Sequence, residues 1–247
     1  MSESSMIKVV SAFNRKEIIS GVTCRNLHTF SAPGMTFANS AASTPAQVEE
    51  SFDRLSEFLN VGRNSIHVVR QVHGTEVAIV ERGFVATEAD AMVTAVPGII
   101  IGVRVADCAP VLLYDPVRNV VAAVHSGWRG SLLNICSRAV GIMKVEFGCN
   151  VGQLLAFIGP SAHSCCYEVG LDVAQHFVEH CVPVNGKTDK WMFSNNQAIH
   201  QQLTEIGLSK TSIVVSESCT ICDLDFHSHR RDSGQAGRGL AYIGLRH

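Results

Sequence analysis

Three residues of the 247-residue chain combine the types and spacing that metal chemistry needs: His73, Cys108 and His125. Cys108 precedes an apolar run, Val111–Tyr114; Asp115-Pro116 turns the chain; a second apolar run, Val120–Val124, leads into His125. That order reads strand, turn, strand, and such a hairpin brings Cys108 and His125 together at one end. His73 lies in Gln71–Gly74, beyond a third apolar stretch, Ile66–Val69, so all three side chains can converge from strand ends. Two imidazoles and one thiolate are a competent zinc set, and three protein ligands leave a fourth position for water or substrate. The plain structural alternative makes Cys108 a small core residue and each histidine a satisfied polar group.

Beyond His125, Ser126–Gly130 forms a tight turn into a helix expected over Ser131–Phe147, whose inner face carries Leu132, Ile135, Ala139, Ile142, Met143 and Phe147. The start of that helix near Gly130, with Arg129 beside it, is a natural anion site. The spacing thus sets a phosphate candidate next to a metal candidate. The same residues also allow a metal-free cysteine hydrolase, with Cys108 as nucleophile and His125 as base. Copper, at the top of the divalent affinity series, also suits two histidines and a cysteine. A four-electron phenol oxidase, however, needs several coppers and clustered histidines that the sequence lacks.

A competing zinc set is Cys219-x2-Cys222 followed by His227-x-His229, but four ligands within eleven residues would contort the backbone. The vicinal pair Cys165-Cys166 reads as a packed turn.

The elements that position these groups follow from pattern. Strands are expected at Ile7–Phe13, Ile18–Thr23, Ala89–Thr94, Ile99–Val105, Leu154–Ile158 and Ser212–Val215. Ile66–Arg70 and Glu76–Val80 read as a strand pair around the Val72–Gly74 turn. Helices are expected at Pro45–Leu59, with Thr44 as N-cap, from Cys165 to about Cys181, and at Asn195–Ile206. The architecture is therefore α/β (α+β): one domain over 1–247, with a large mixed sheet covered by helices. A content of 46% apolar and 17% charged residues suits a compact fold with its own core, and a net charge of −2 offers no basic field for nucleic acid or an anionic membrane. Met1–Phe13 lacks a basic start followed by an apolar stretch, so no signal peptide is read. Apolar runs such as Val96–Val105 are cut by proline, glycine and arginine short of a membrane span. Nine cysteines, an odd number without a small-scaffold spacing, point to a reduced cytoplasm.

Six motifs occur in a fixed order: QVHG from Gln71, EADAMVT from Glu88, ADCAPVLLYDP from Ala106, VAAVHSGWRG from Val121, IGPSAHSCCYEVG from Ile158 and FHSHRRDSGQAGR from Phe226. Together they resemble the laccase-domain family, also called multicopper polyphenol oxidase-like, whose members are purine nucleoside phosphorylases with adenosine-deaminating activity. The resemblance implies a layered α-β-β-α fold shared with Cys–His hydrolase toxins. It implies phosphorolysis of adenosine, inosine, guanosine and methylthioadenosine, with zinc as cofactor and copper as its rival. By the same resemblance Arg25, Gln71, Arg129, Gly130, Tyr167 and Arg230 bind substrate or phosphate, with His229 and Arg238 lining the pocket, and Tyr167 can stack on the purine. Asp107, next to Cys108, either moves the proton of the attacking water or fixes a ligand histidine. Glu168 and Asp90 are further carboxylates for acid–base work. The family's Ser-Thr-Arg-x-Gly-Gly segment is matched here only at Arg25 and around Asn39.

Overall fold

The computed structural model describes residues 7–246, so the first six residues of the segment inspected for a signal peptide lie outside it. The chain forms β1 (Val9–Ser11), β2 (Ile18–Thr23), α1 (Pro45–Leu59), β3 (Ile66–Val68), β4 (Val77–Ile79), β5 (Ala91–Thr94), β6 (Ile100–Val105), β7 (Ala109–Asp115) and β8 (Val120–Ser126). It continues through α2 (Trp128–Leu132), α3 (Ile135–Phe147), β9 (Leu155–Ile158), β10 (Glu168–Val169), α4 (Leu171–Ala174), β11 (Cys181–Pro183) and β12 (Trp191–Phe193). It closes with α5 (Asn195–Glu205), β13 (Ile213–Val215), α6 (His229–Asp232) and β14 (Gly239–Leu245). No helix among the described residues is long and apolar enough to cross a membrane.

The fold is the mixed α/β one expected, and the large mixed sheet read from the strand pattern is divided between two facing sheets, as the layered α-β-β-α resemblance implies. One is five-stranded in the order β1-β2-β14-β6-β3, the other six-stranded in the order β13-β9-β7-β8-β5-β4. A small sheet, β10-β12-β11, lies apart from both. Alternation along β7 explains the layering, because successive side chains leave a strand on opposite faces. Val111 and Leu113 join Ile135, Ala139, Met143, Ile199 and Leu203 from α3 and α5. Leu112 and Tyr114 face the other way, onto Val103 of β6 and Ala241 and Ile243 of β14. Beyond the five-stranded sheet, Ile100 and Tyr242 pack on Phe52 and Leu55 of α1. The order is therefore helix, sheet, sheet, helices. Strands buried on both faces read as near-continuous apolar runs, as β7 and β8 do.

The central hairpin forms as expected: Ala109 pairs with Ser126, and Asp115 Oδ1 accepts the N–H groups of Val117 and Arg118 to close the turn. Thr44 caps α1 as expected, and the structure adds a reciprocal bond to Gln47 that completes a capping box.

Three expectations are corrected. β3 and β4 do not pair with each other, because β3 runs parallel to β6 in one sheet and β4 parallel to β5 in the other. The intervening Val72–Gly74 crosses between the sheets, its N–H groups taken by a carboxylate instead of by a strand. The helix over 131–147 is two, α2 beginning at Trp128 and α3 at Ile135, because Asn134 adopts a left-handed conformation, φ 57°, that ends the first. No long helix follows Cys165: Glu168–Val169 pair with Trp191–Met192, and only the four residues of α4 are helical.

Candidate metal centre

The site lies where the crossing segment meets the hairpin end. Asp90, immediately before β5 and fully buried, organises it. Its carboxylate accepts the N–H groups of Val72 (3.1 Å), His73 (3.0 Å) and Gly74 (2.7 Å), and its Oδ1 lies 2.8 Å from His125 Nδ1. That last bond leaves Nε2 of His125 for Cys108. Burial opposes the charge on Asp90, yet the hydrogen bond from His125 and the N–H groups of Gly74 and Val72 hold its carboxyl below the usual range.

The ligand atoms of His73, Cys108 and His125 all lie within 4.8 Å of one another. The imidazoles meet edge to face, with centroids 4.9 Å apart. His73 sits at φ 59°, a left-handed conformation sustained by the Asp90 bond to its N–H. Gly127 closes the thiol's other side, where a Cβ would stand 2.9 Å from Cys108 Sγ. Burial raises the Cys108 thiol, but the charge of His125 and hydrogen bonds from both histidines outweigh it and bring the thiol below its ordinary range. Burial lowers His125, and the Cys108 thiolate and Asp90 more than reverse this. Both shifts run in the direction that favours a thiolate–imidazolium pair.

A pocket of about 380 Å³ opens on the three residues. Arg70, Arg104, Arg238 and His229 share its wall, and no carboxylate is among its lining residues. The Arg104 guanidinium is anchored to the carbonyls of Phe37 (2.7 Å) and Val69 (3.0 Å), and that of Arg238 to those of Ala236 and Gly237. Gln71 also lines the pocket, but both ends of its amide are committed. Nε2 donates to Arg104 O and Oε1 accepts from Arg104 N, each at 2.8 Å, tying the crossing segment to β6.

Tyr167, Arg230, Asp107 and Arg129 gather on the other side of Cys108, close enough for Tyr167 to feel the charges of all three and of the thiol. Arg230 lies over the Tyr167 ring at 5.2 Å and donates to Glu168 O. A purine stacking on Tyr167 must share that face with the guanidinium. Asp107, at φ 82°, accepts from Thr220 Oγ1 (2.7 Å) and from the N–H of Arg230 (2.6 Å), and it is Asp90 that orients His125. Arg129 is exposed and stacks on Trp128 at 4.2 Å, while Gly130 is buried inside α2. Arg25 is tied to Pro33 O (3.1 Å) and to Asp232 (3.7 Å), so it braces the loop that carries Arg238. The Glu168 carboxylate pairs with Lys187 at 2.5 Å.

Arg70 and Arg104 are pocket arginines that pattern reading passed over. The signal for Arg104 is a lone charge inside the otherwise apolar strand Ile100–Val105.

The competing tetrahedron of Cys219, Cys222, His227 and His229 does not form. His227 Nε2 donates to Met35 O at 2.8 Å, His229 faces the pocket, and the two cysteines join Cys165 and Cys166 instead.

Two facing mixed sheets with a histidine–cysteine cluster at their seam define a layered α/β protein. The chain belongs to the family described as multi-copper polyphenol oxidoreductase laccase, whose model matches residues 21–246. It is 36% identical over 207 residues to a purine nucleoside phosphorylase of Deinococcus radiodurans, covering 81% of this chain and 78% of that one. It is 32% identical over 205 residues to adenosine deaminase RL5 of an unknown prokaryotic organism, covering 75% and 77%. The crystal structure of hypothetical protein YfiH from Bacillus licheniformis superposes with a TM-score of 0.87 at 26% identity, covering 93% of each chain.

Proposed function

We propose that this chain is a zinc-dependent purine nucleoside phosphorylase that also deaminates adenosine. In this reading adenosine, inosine, guanosine or methylthioadenosine reacts with phosphate to give the free base and ribose-1-phosphate. One observation carries the reading: a nitrogen–nitrogen–sulfur cluster within 4.8 Å opens into a pocket whose lining holds three arginines and no carboxylate. The names of the relatives support the substrate class.

The donor set fits zinc. His73, Cys108 and His125 would hold the ion, and Asp90 fixes one ligand through its imidazole and another through its backbone. When bound, zinc supplies Lewis acidity that makes water a nucleophile at neutral pH, suited to attack at C6 of adenine. The protein's own groups do the rest. Arg104 and Arg238 hold phosphate from one side of the cluster, with Arg129 and Arg230 on the other, because guanidinium donates to phosphate in a bidentate fork. Tyr167 stacks on the base. Asp107 accepts and returns the proton; the bonds from Thr220 and Arg230 support this by holding its carboxylate still. Zinc is favoured over copper chemistry because the described residues carry a single cluster containing histidine. The test is product analysis with adenosine: adenine and ribose-1-phosphate formed only with phosphate, inosine formed without it, and both lost on chelation.

A second reading, a metal-free Cys–His hydrolase, draws on the Cys108–His125–Asp90 chain and the thiolate it favours. Turnover that survives complete metal removal and stops on alkylation of Cys108 would select it.

A further inference from the structure

We infer that Cys165, Cys166, Cys219 and Cys222 form a second metal site, a tetrathiolate holding a structural zinc ion. All four are free thiols, and their sulfurs lie within 4.8 Å of one another. Cys166 and Cys222, 56 residues apart in sequence, bring their sulfurs to 2.9 Å, and Cys165 Sγ lies 3.5 Å from Cys222 Sγ. In a tetrahedron with zinc–sulfur bonds of about 2.3 Å, the sulfurs stand about 3.8 Å apart, a spacing that the cluster's separations, from 2.9 Å to no more than 4.8 Å, bracket. Core packing does not account for it, because only Cys219 of the four is buried. A disulfide does not account for it either, since one bond joins two sulfurs and leaves the other pair crowded against it.

The surroundings of Cys219 are those of a metal-bound thiolate. Its sulfur accepts the N–H of His163 at 3.5 Å and the N–H groups of Ile221 and Cys222, so the Cys219–Cys222 turn wraps around it. Such donors disperse the negative charge that a thiolate keeps when it binds zinc. Four protein ligands leave no open position, which makes the site structural and not catalytic.

The site also has a mechanical consequence. Cys166 is followed by Tyr167, and Cys219 by Thr220, whose hydroxyl donates to Asp107. An ion joining the two turns fastens the wall that carries Tyr167 to the loop that steadies Asp107. The inference stands apart from the proposed activity, because it concerns cysteines that the cluster of His73, Cys108 and His125 does not use.

The test is metal analysis of the full chain by mass spectrometry, purified without chelator, beside Cys108→Ala and the Cys219→Ser/Cys222→Ser double variant. Cys108→Ala should keep one zinc equivalent, and adding the double substitution should remove it, with a fall of several degrees in thermal midpoint. Cobalt-loaded wild-type protein gives a reading that needs no variant: near-ultraviolet sulfur-to-cobalt absorption of several thiolates instead of one. Absorption from a single thiolate would overturn the site. So would zinc retained in the soluble double variant in the Cys108→Ala background, or a disulfide within the cluster of the freshly purified protein.

Discussion

His125 Nδ1 lies 2.8 Å from Asp90 Oδ1, and the same carboxylate accepts the backbone N–H of His73 at 3.0 Å, so one buried acid positions two of the three candidate ligands. An asparagine keeps a carbonyl oxygen but loses the charge that holds the imidazole. Asp90→Asn should weaken zinc binding by about 10–100-fold, the usual cost of losing such a partner. Competition against a chromophoric chelator measures it. Unchanged affinity would mean that Asp90 serves only the backbone turn.

Gly127 tests the same geometry by steric means. Its φ of −73° suits alanine, but the added Cβ would stand 2.9 Å from Cys108 Sγ. The thiol must swing away from the histidines. Gly127→Ala should therefore lower zinc affinity at least tenfold while costing only about 1–3 kcal/mol of stability. Denaturant unfolding alongside the zinc titration separates the two effects.

Arg238 and Arg25 separate phosphate binding from support. Arg238 lines the pocket, whereas Arg25 is held by Pro33 O and Asp232. A charge-assisted hydrogen bond contributes about 1.5–3 kcal/mol, so Arg238→Met should raise the KM for phosphate by about 10- to 150-fold. Its effect on phosphate-independent deamination should be small. Arg25→Met should lower thermal stability before it changes the phosphate KM. Initial rates at varied phosphate, with unfolding midpoints, check both.

Much of this site is legible in the sequence, and the reasons for the gaps are physical. Cys108 and His125 are found because the Asp115-Pro116 turn sets the register of the hairpin, so the residues just before its first apolar run and just after its second meet at one end. His73 is found as a residue at a strand end, but the route to it is not. Asp90 gathers the N–H groups that a hairpin would have paired, so pattern alone reads one sheet where the chain crosses between two. Asn134 splits a helix through its own left-handed conformation, which side-chain periodicity cannot register. The partnership of Cys165 and Cys166 with Cys219 and Cys222 is a contact across 56 and 57 residues, so the local spacing of Cys219 and Cys222 to His227 and His229 misdirects the reading.

His227 supplies a pH dependence. Burial pushes its imidazole down to about 4, opposed by the Met35 carbonyl and assisted by Arg25 and Arg238. Unfolded, it titrates near about 6.5, so between these values the unfolded chain binds more protons. Its contribution is fully present above about pH 6.5 and is lost as pH falls through about 4, a change of about 3 kcal/mol. His227→Gln keeps a donor for Met35 O and removes that titration. Urea unfolding of both proteins in chelator, from pH 7 to pH 4, should show a shallower slope for the variant. Equal slopes would assign acid sensitivity elsewhere.

The most direct test of the central claim is zinc content and adenosine-plus-phosphate turnover measured on the same samples of wild-type protein and Cys108→Ala. The account predicts that Cys108→Ala, with an unchanged circular dichroism spectrum, loses one zinc equivalent and essentially all formation of adenine and inosine. It also predicts that zinc restores turnover to chelator-treated wild type. Full turnover by zinc-free wild type, or by Cys108→Ala, would contradict it.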